Sequence, residues 1–199
     1  MIFALTAVVF SCVGLLILPF VRNYTRGVTD VTYVRLDVAV LITVAEALFC
    51  LRRPYLTLVQ ATGSYKETKN GAAIEAIINL LISLGFVGLL GIPGVMIGTI
   101  AANGFRTGQY AWFVSRNLLG RSIWDVVKRM LWVVVCVALS VGMILPLKAN
   151  LFFAVTWKGF LAESCITFMV ACLVTGIMSL LCYRKDLLFV ASVAKRMLK

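Results

Sequence analysis

Long apolar runs separated by short basic segments organise this chain. They fall at 1–21, 36–51, 72–90, 92–118, 130–147 and 160–183, and a helix needs about 20 residues to cross the hydrocarbon core of a bilayer. The pattern predicts an all-α polytopic membrane protein, with about six transmembrane helices in one unit covering 1–199.

Polar residues recur inside these runs at helical spacing. Glu75, Asn79 and Ser83 lie four residues apart, as do Glu163, Thr167, Ala171, Thr175 and Ser179, so each set occupies one face of its helix. In the second run Thr43, Glu46, Cys50 and Arg53 lie near one face. An ionised residue at mid-bilayer costs roughly 2.5–3.5 kcal/mol on insertion scales, so such groups face a wet cavity or a partner. Interhelical hydrogen bonds, with Glu163 and Arg53 snorkelling to the interface, are the alternative. Asn79, Ser83, Glu163 and Thr167 are the candidate cavity-lining residues. Glu46 and Glu75 are the candidates for proton or ion coupling, since a carboxylate kept neutral by desolvation can exchange a proton when its surroundings open.

Gly94, Gly98 and Ala102 form a ridge of small residues that allows close helix approach. Gly91, Pro93 and Gly94 leave room only for a tight hairpin, which makes the third and fourth helices antiparallel neighbours.

Composition narrows the class further. Hydrophobic residues make up 62% of the chain and charged residues 14%, and mean hydropathy is +1.01, well outside the range of a soluble domain. The net charge of +11 sits in short connecting segments rather than on an arginine-rich or aromatic-interleaved face, which argues against nucleic acid as a partner. After the odd-numbered runs come Arg22, Arg26, Arg35, Lys148 and Lys158. After the even-numbered runs come Arg52, Arg53, Lys66, Lys69, Arg106, Arg116, Arg121, Lys128, Arg129, Arg184, Lys185, Lys195, Arg196 and Lys199. The positive-inside rule places the second set and both termini in the cytoplasm. The first helix alone favours the opposite orientation, because Met1 opens directly into apolar sequence and Arg22 and Arg26 follow it. That start fits a secretory signal poorly, and reads as if a longer protein had been cut.

Histidine is absent, which removes the commonest general base and metal ligand. Cys12, Cys50, Cys136, Cys165, Cys172 and Cys182 lie in or at the ends of apolar runs with no C-x-x-C pair, and read as small apolar fillers. Asp30 and Asp37 are the only close aspartates and no D-x-D occurs. A membrane enzyme acting on lipid-linked sugars is therefore disfavoured, and no cofactor or metal is expected.

The stretch Ala61-Thr62-Gly63-Ser64-Tyr65-Lys66-Glu67-Thr68-Lys69, followed by Glu75, Asn79 and Gly91-Ile92-Pro93-Gly94-Val95-Met96-Ile97-Gly98-Thr99, resembles the polysaccharide-biosynthesis or O-antigen flippases of the multidrug/oligosaccharidyl-lipid/polysaccharide exporter superfamily. The likeness is strongest over 53–99 and points to the carboxyl-terminal half of such a protein. It implies translocation of a polyprenyl-linked oligosaccharide across the bacterial inner membrane, for O-antigen, capsule or exopolysaccharide assembly. It also implies a second six-helix lobe, from another chain or a homodimer. Arg52, Arg53, Lys66 and Lys69 would attract the pyrophosphate of the lipid-linked substrate, and read equally as topology charges. The alternative is a truncated or structural membrane subunit without autonomous transport.

Overall fold

The computed structural model describes residues 2–28, 30–150 and 156–183. Six α-helices account for nearly all of them: α1 (Ile2–Tyr24), α2 (Leu36–Ala61), α3 (Tyr65–Leu90), α4 (Ile92–Phe113), α5 (Ile123–Asn150) and α6 (Trp157–Cys182). A π-helical turn at Val114–Leu118 extends α4. No strand occurs among the described residues, so the protein is all-α as its periodicity predicts. The basic tail residues Arg184, Lys185, Lys195, Arg196 and Lys199 lie outside the described residues.

Four helices, α1, α3, α5 and α6, are long and apolar enough to cross a membrane, which fits a membrane-embedded protein. The other two are more polar for identifiable reasons: α2 carries Glu46, Arg52 and Arg53 in mid-helix, and α4 carries Asn103, Arg106, Thr107 and Gln109. Packing compensates for α4. Its positions 94, 98, 102, 106 and 110 are all buried, as are 103, 107 and 111, so the polar helix is sheltered. The apolar helix α3 lies outside it, with Leu80, Leu81 and Leu84 at 60–64% exposure. Polar inside and apolar outside suits lipid as the surrounding solvent.

The α3–α4 hairpin forms as the small residues predict. Gly91 takes φ +64° between the two helices, a left-handed conformation that favours glycine, and Pro93 occupies the first turn of α4, where its missing N–H is harmless. A Cβ on Gly98 would come within 2.2 Å of Ser83 Oγ and 2.9 Å of the Asn79 carbonyl oxygen, and one on Gly94 within 2.4 Å of the Phe86 carbonyl oxygen. The register therefore runs antiparallel, with backbones in near contact.

Several helix ends differ from those read off the apolar runs. Arg52-Arg53-Pro54 reads as the end of α2, because proline disfavours helix in the residue before it. The helix nevertheless continues to Ala61. Tyr55 and Val59 are buried with Tyr110, Ala111, Phe113, Val114 and Val126, and this tertiary burial outweighs the local stop signal. Likewise α3 begins at Tyr65 rather than 72, so much of the 61–69 segment is helix rather than loop. A second apolar cluster, Ala7, Leu51, Trp132, Val133 and Cys136, ties α1, α2 and α5 together.

Candidate functional site

Glu75, in the first half of α3, is the hub of a charged cluster joining α2, α3 and α4. Its Oε1 accepts from Arg52 Nη1 at 2.6 Å, and its Oε2 lies 3.4 Å from Arg106 Nε. Arg106 is only 5% exposed and its donors are well used. Nη1 donates to the Thr68 carbonyl at 2.8 Å and to Gln109 Oε1 at 2.6 Å, while Nη2 donates to Tyr110 Oη at 2.7 Å. The guanidinium also sits 4.2 Å from the Tyr110 ring centroid, a cation–π contact. Arg52 is stacked 4.4 Å from the Phe49 ring, and its Nε, buried from solvent, has no hydrogen-bond partner.

Polar bonds from the same helices lock this arrangement. Asn103 Nδ2 donates to the Ala45 carbonyl at 3.0 Å and Thr107 Oγ1 to the Leu48 carbonyl at 3.1 Å, fastening α4 to α2. Helix-interior carbonyls retain a free lone pair, and small polar side chains on a neighbouring helix can take it. Gly71 of α3 is buried against Gln109, the residue that also receives Arg106.

Of the residues singled out from sequence, Arg52 and Glu75 meet in this cluster. Asn79 and Ser83 lie further along α3, where Ser83 Oγ donates to Asn79 Oδ1 at 3.0 Å and to the Val95 carbonyl at 3.4 Å. They sit against the glycine ridge of α4. Arg53 is exposed and stacked 4.6 Å from Phe49. Lys66, Lys69 and Glu46 are also exposed. The second-run stripe thus points partly outward, with Glu46 and Arg53 on the surface while Ala45, Leu51, Tyr55 and Val59 form the buried face of α2. In α6 the whole stripe of Glu163, Thr167, Ala171, Thr175 and Ser179 is buried. Glu163 and Thr167 lie there, on a separate group of helices from Glu75.

Arg106 is the residue the sequence reading missed. It counted there as an interfacial topology charge, whereas it is among the most buried charged groups described. One signal was available: Arg106 continues the 94–98–102 ridge by one further step of four, so it shares the face that packs on α3.

Comparison with known proteins finds no matching family, curated protein or solved structure.

Proposed function

We propose that this chain is one six-helix lobe of a flippase-type transporter, moving a polyprenyl-linked oligosaccharide from the cytoplasmic to the outer leaflet of a bacterial inner membrane. The observation that carries this reading is the Arg52–Glu75–Arg106 cluster, with a buried Arg52 N–H left over for another acceptor. Charged groups inside a membrane protein mark substrate or ion pathways. The likeness of 53–99 to the flippases, which takes in Glu75 at the centre of this cluster but neither of its arginines, supports the same reading.

The chemistry follows from exchange of partners. A pyrophosphate is a stronger acceptor for a guanidinium than a carboxylate is, because it offers more oxygens and more charge. Substrate arriving at Arg52 would draw it from Glu75, and the released carboxylate would bind a coupling cation or proton. Exposed Lys66 and Lys69 at the start of α3 would gather the anionic headgroup from the cytoplasmic side. The sugar would cross in a cavity completed by a second lobe, while the polyprenyl tail stays in lipid.

Complementation of a flippase-deletion strain tests this, with the chain expressed alone and together with an amino-terminal lobe. Restored surface glycan in either arm, abolished by Glu75→Gln, is the expected result. Absence of rescue in both arms, with the protein present in the membrane, refutes the proposal. Fusion reporters at both ends should report a cytoplasmic location.

A second reading, a structural membrane subunit, is favoured by one specific feature. Both oxygens of Glu75 are already engaged by arginines, as in a permanent latch. Under that reading Glu75→Gln lowers stability but leaves glycan export by the intact complex unchanged at matched protein levels.

A further inference from the structure

The corner between α4 and α5 holds a pocket unrelated to the Glu75 cluster. Its volume is about 410 Å³, and its walls include Trp112, Ser115, Arg116, Gly120, Arg121 and Ser122. The π-helical turn builds it. Leu119 N–H reaches back to the Val114 carbonyl at 2.9 Å and Arg121 N–H to the Ser115 carbonyl at 2.9 Å, which wraps the chain around the pocket and brings Arg121 over the same opening as Arg116. Gly120 makes the reversal with φ +60°. Such π turns concentrate at functional sites.

Three independent features converge on an anion. Arg116 and Arg121 both line the pocket and neither forms an ion pair with a carboxylate among the described residues. Arg116 lies 5.5 Å from the Trp112 ring, which orients its guanidinium. Ser115 is 2% exposed and lines the pocket, where its hydroxyl can donate to an incoming acceptor. Finally, α5 starts at the pocket edge. Ser122 Oγ accepts from Trp124 N–H at 3.3 Å, while the N–H groups of Gly120, Ser122 and Ile123 donate to no backbone acceptor among the described residues. Helix N-termini favour anions through these free donors and the helix dipole.

We infer that this pocket binds a phosphate group, carried by the headgroup of an anionic membrane lipid. The lipid source follows from the surroundings. Trp124 is 67% exposed, Trp112 48% and Leu119 47%, and α5, which rises from the pocket, is long and apolar enough to span a membrane. Tryptophan and arginine at the mouth of a span are interfacial anchors, and a basic pocket between helices at that depth suits an anionic headgroup. The inference is independent of the flippase reading, since it uses none of its residues.

The test titrates the purified full chain in mild detergent with phosphatidylglycerol, phosphatidylcholine and inorganic phosphate, reading bound lipid by native mass spectrometry and phosphate by calorimetry. Phosphatidylglycerol should bind at least about tenfold more tightly than phosphatidylcholine, equivalent to about 1.4 kcal/mol. Arg116→Gln with Arg121→Gln should abolish that preference, and Ser115→Ala, which changes no charge, should reduce it severalfold. Arg22→Gln with Lys158→Gln, an equal loss of charge elsewhere on the surface, should preserve it. A preference unchanged in both the arginine and serine variants, or lost equally in the Arg22/Lys158 control, overturns the site. Inorganic phosphate that binds at the pocket and displaces the lipid at equal concentration overturns the lipid assignment in favour of a free phosphate ligand.

Discussion

Glu75→Gln keeps the size of the side chain and removes its charge, leaving Arg106 and Arg52 with side chains 6% and 13% exposed and no carboxylate between them. At an effective dielectric of about 20 and a separation of about 4 Å, each ion pair is worth roughly 4 kcal/mol of Coulomb energy. Most of that offsets the cost of taking three charges out of water. Deleting only the carboxylate forfeits the attraction while the arginines stay desolvated, and breaking a buried pair in this way costs about 3–5 kcal/mol. Two features pull the value down. Glu75 retains 23% exposure, and Arg106 keeps the Thr68 carbonyl, Gln109 and Tyr110 as acceptors. We therefore expect a loss of about 2–3 kcal/mol. Reversible unfolding in mixed detergent–SDS micelles, followed by far-ultraviolet circular dichroism, measures it. Replacing all three groups by apolar residues, Glu75→Leu with Arg52→Met and Arg106→Met, should restore stability to within about 1 kcal/mol of wild type. The reasoning is refuted if Glu75→Gln costs less than about 0.5 kcal/mol, the value of an exposed pair, or if the triple replacement is no more stable than Glu75→Gln alone.

Gly98→Val should separate α3 from α4, because its first side-chain carbon already meets Ser83 Oγ at 2.2 Å and the Asn79 carbonyl at 2.9 Å; a loss of about 1–3 kcal/mol is expected in the same unfolding assay, and wild-type stability would contradict the near contact. Thr167→Val and Thr175→Val remove buried hydroxyls that have no partner, so each should be neutral or stabilising by up to about 1 kcal/mol, and a loss above that would show that these hydroxyls are bonded after all. Lys66→Gln with Lys69→Gln changes exposed groups only and should shift stability by less than about 0.5 kcal/mol; under the flippase proposal it weakens glycan export in the complementation assay, and undiminished export would remove these lysines from the substrate path.

What was legible in the sequence was local. The six helices, the tight Gly91–Pro93 reversal and the glycine ridge follow from spacing and backbone chemistry within one or two neighbouring elements, and the structure has them. The buried face of α6 was also visible, because five positions four residues apart must share a side. Helix ends were less legible. The stop signal at Pro54 is real, but it competes with burial of Tyr55 and Val59 against residues more than fifty positions away.

The sequence by itself determined the all-helical class, the apolar character of the surface and the hairpin of α3 with α4, because these depend on short-range periodicity and on composition. Only the tertiary structure decided which polar residues meet. Arg52 and Glu75 are 23 residues apart, and Arg106 joins them from a third helix, so their association depends on how three rods are rotated and stacked. That rotation also turned Glu46 and Arg53 outward while Arg52, one residue from Arg53, turned in. Neighbours on a helix point about 100° apart, and packing alone selects which of them meets a partner.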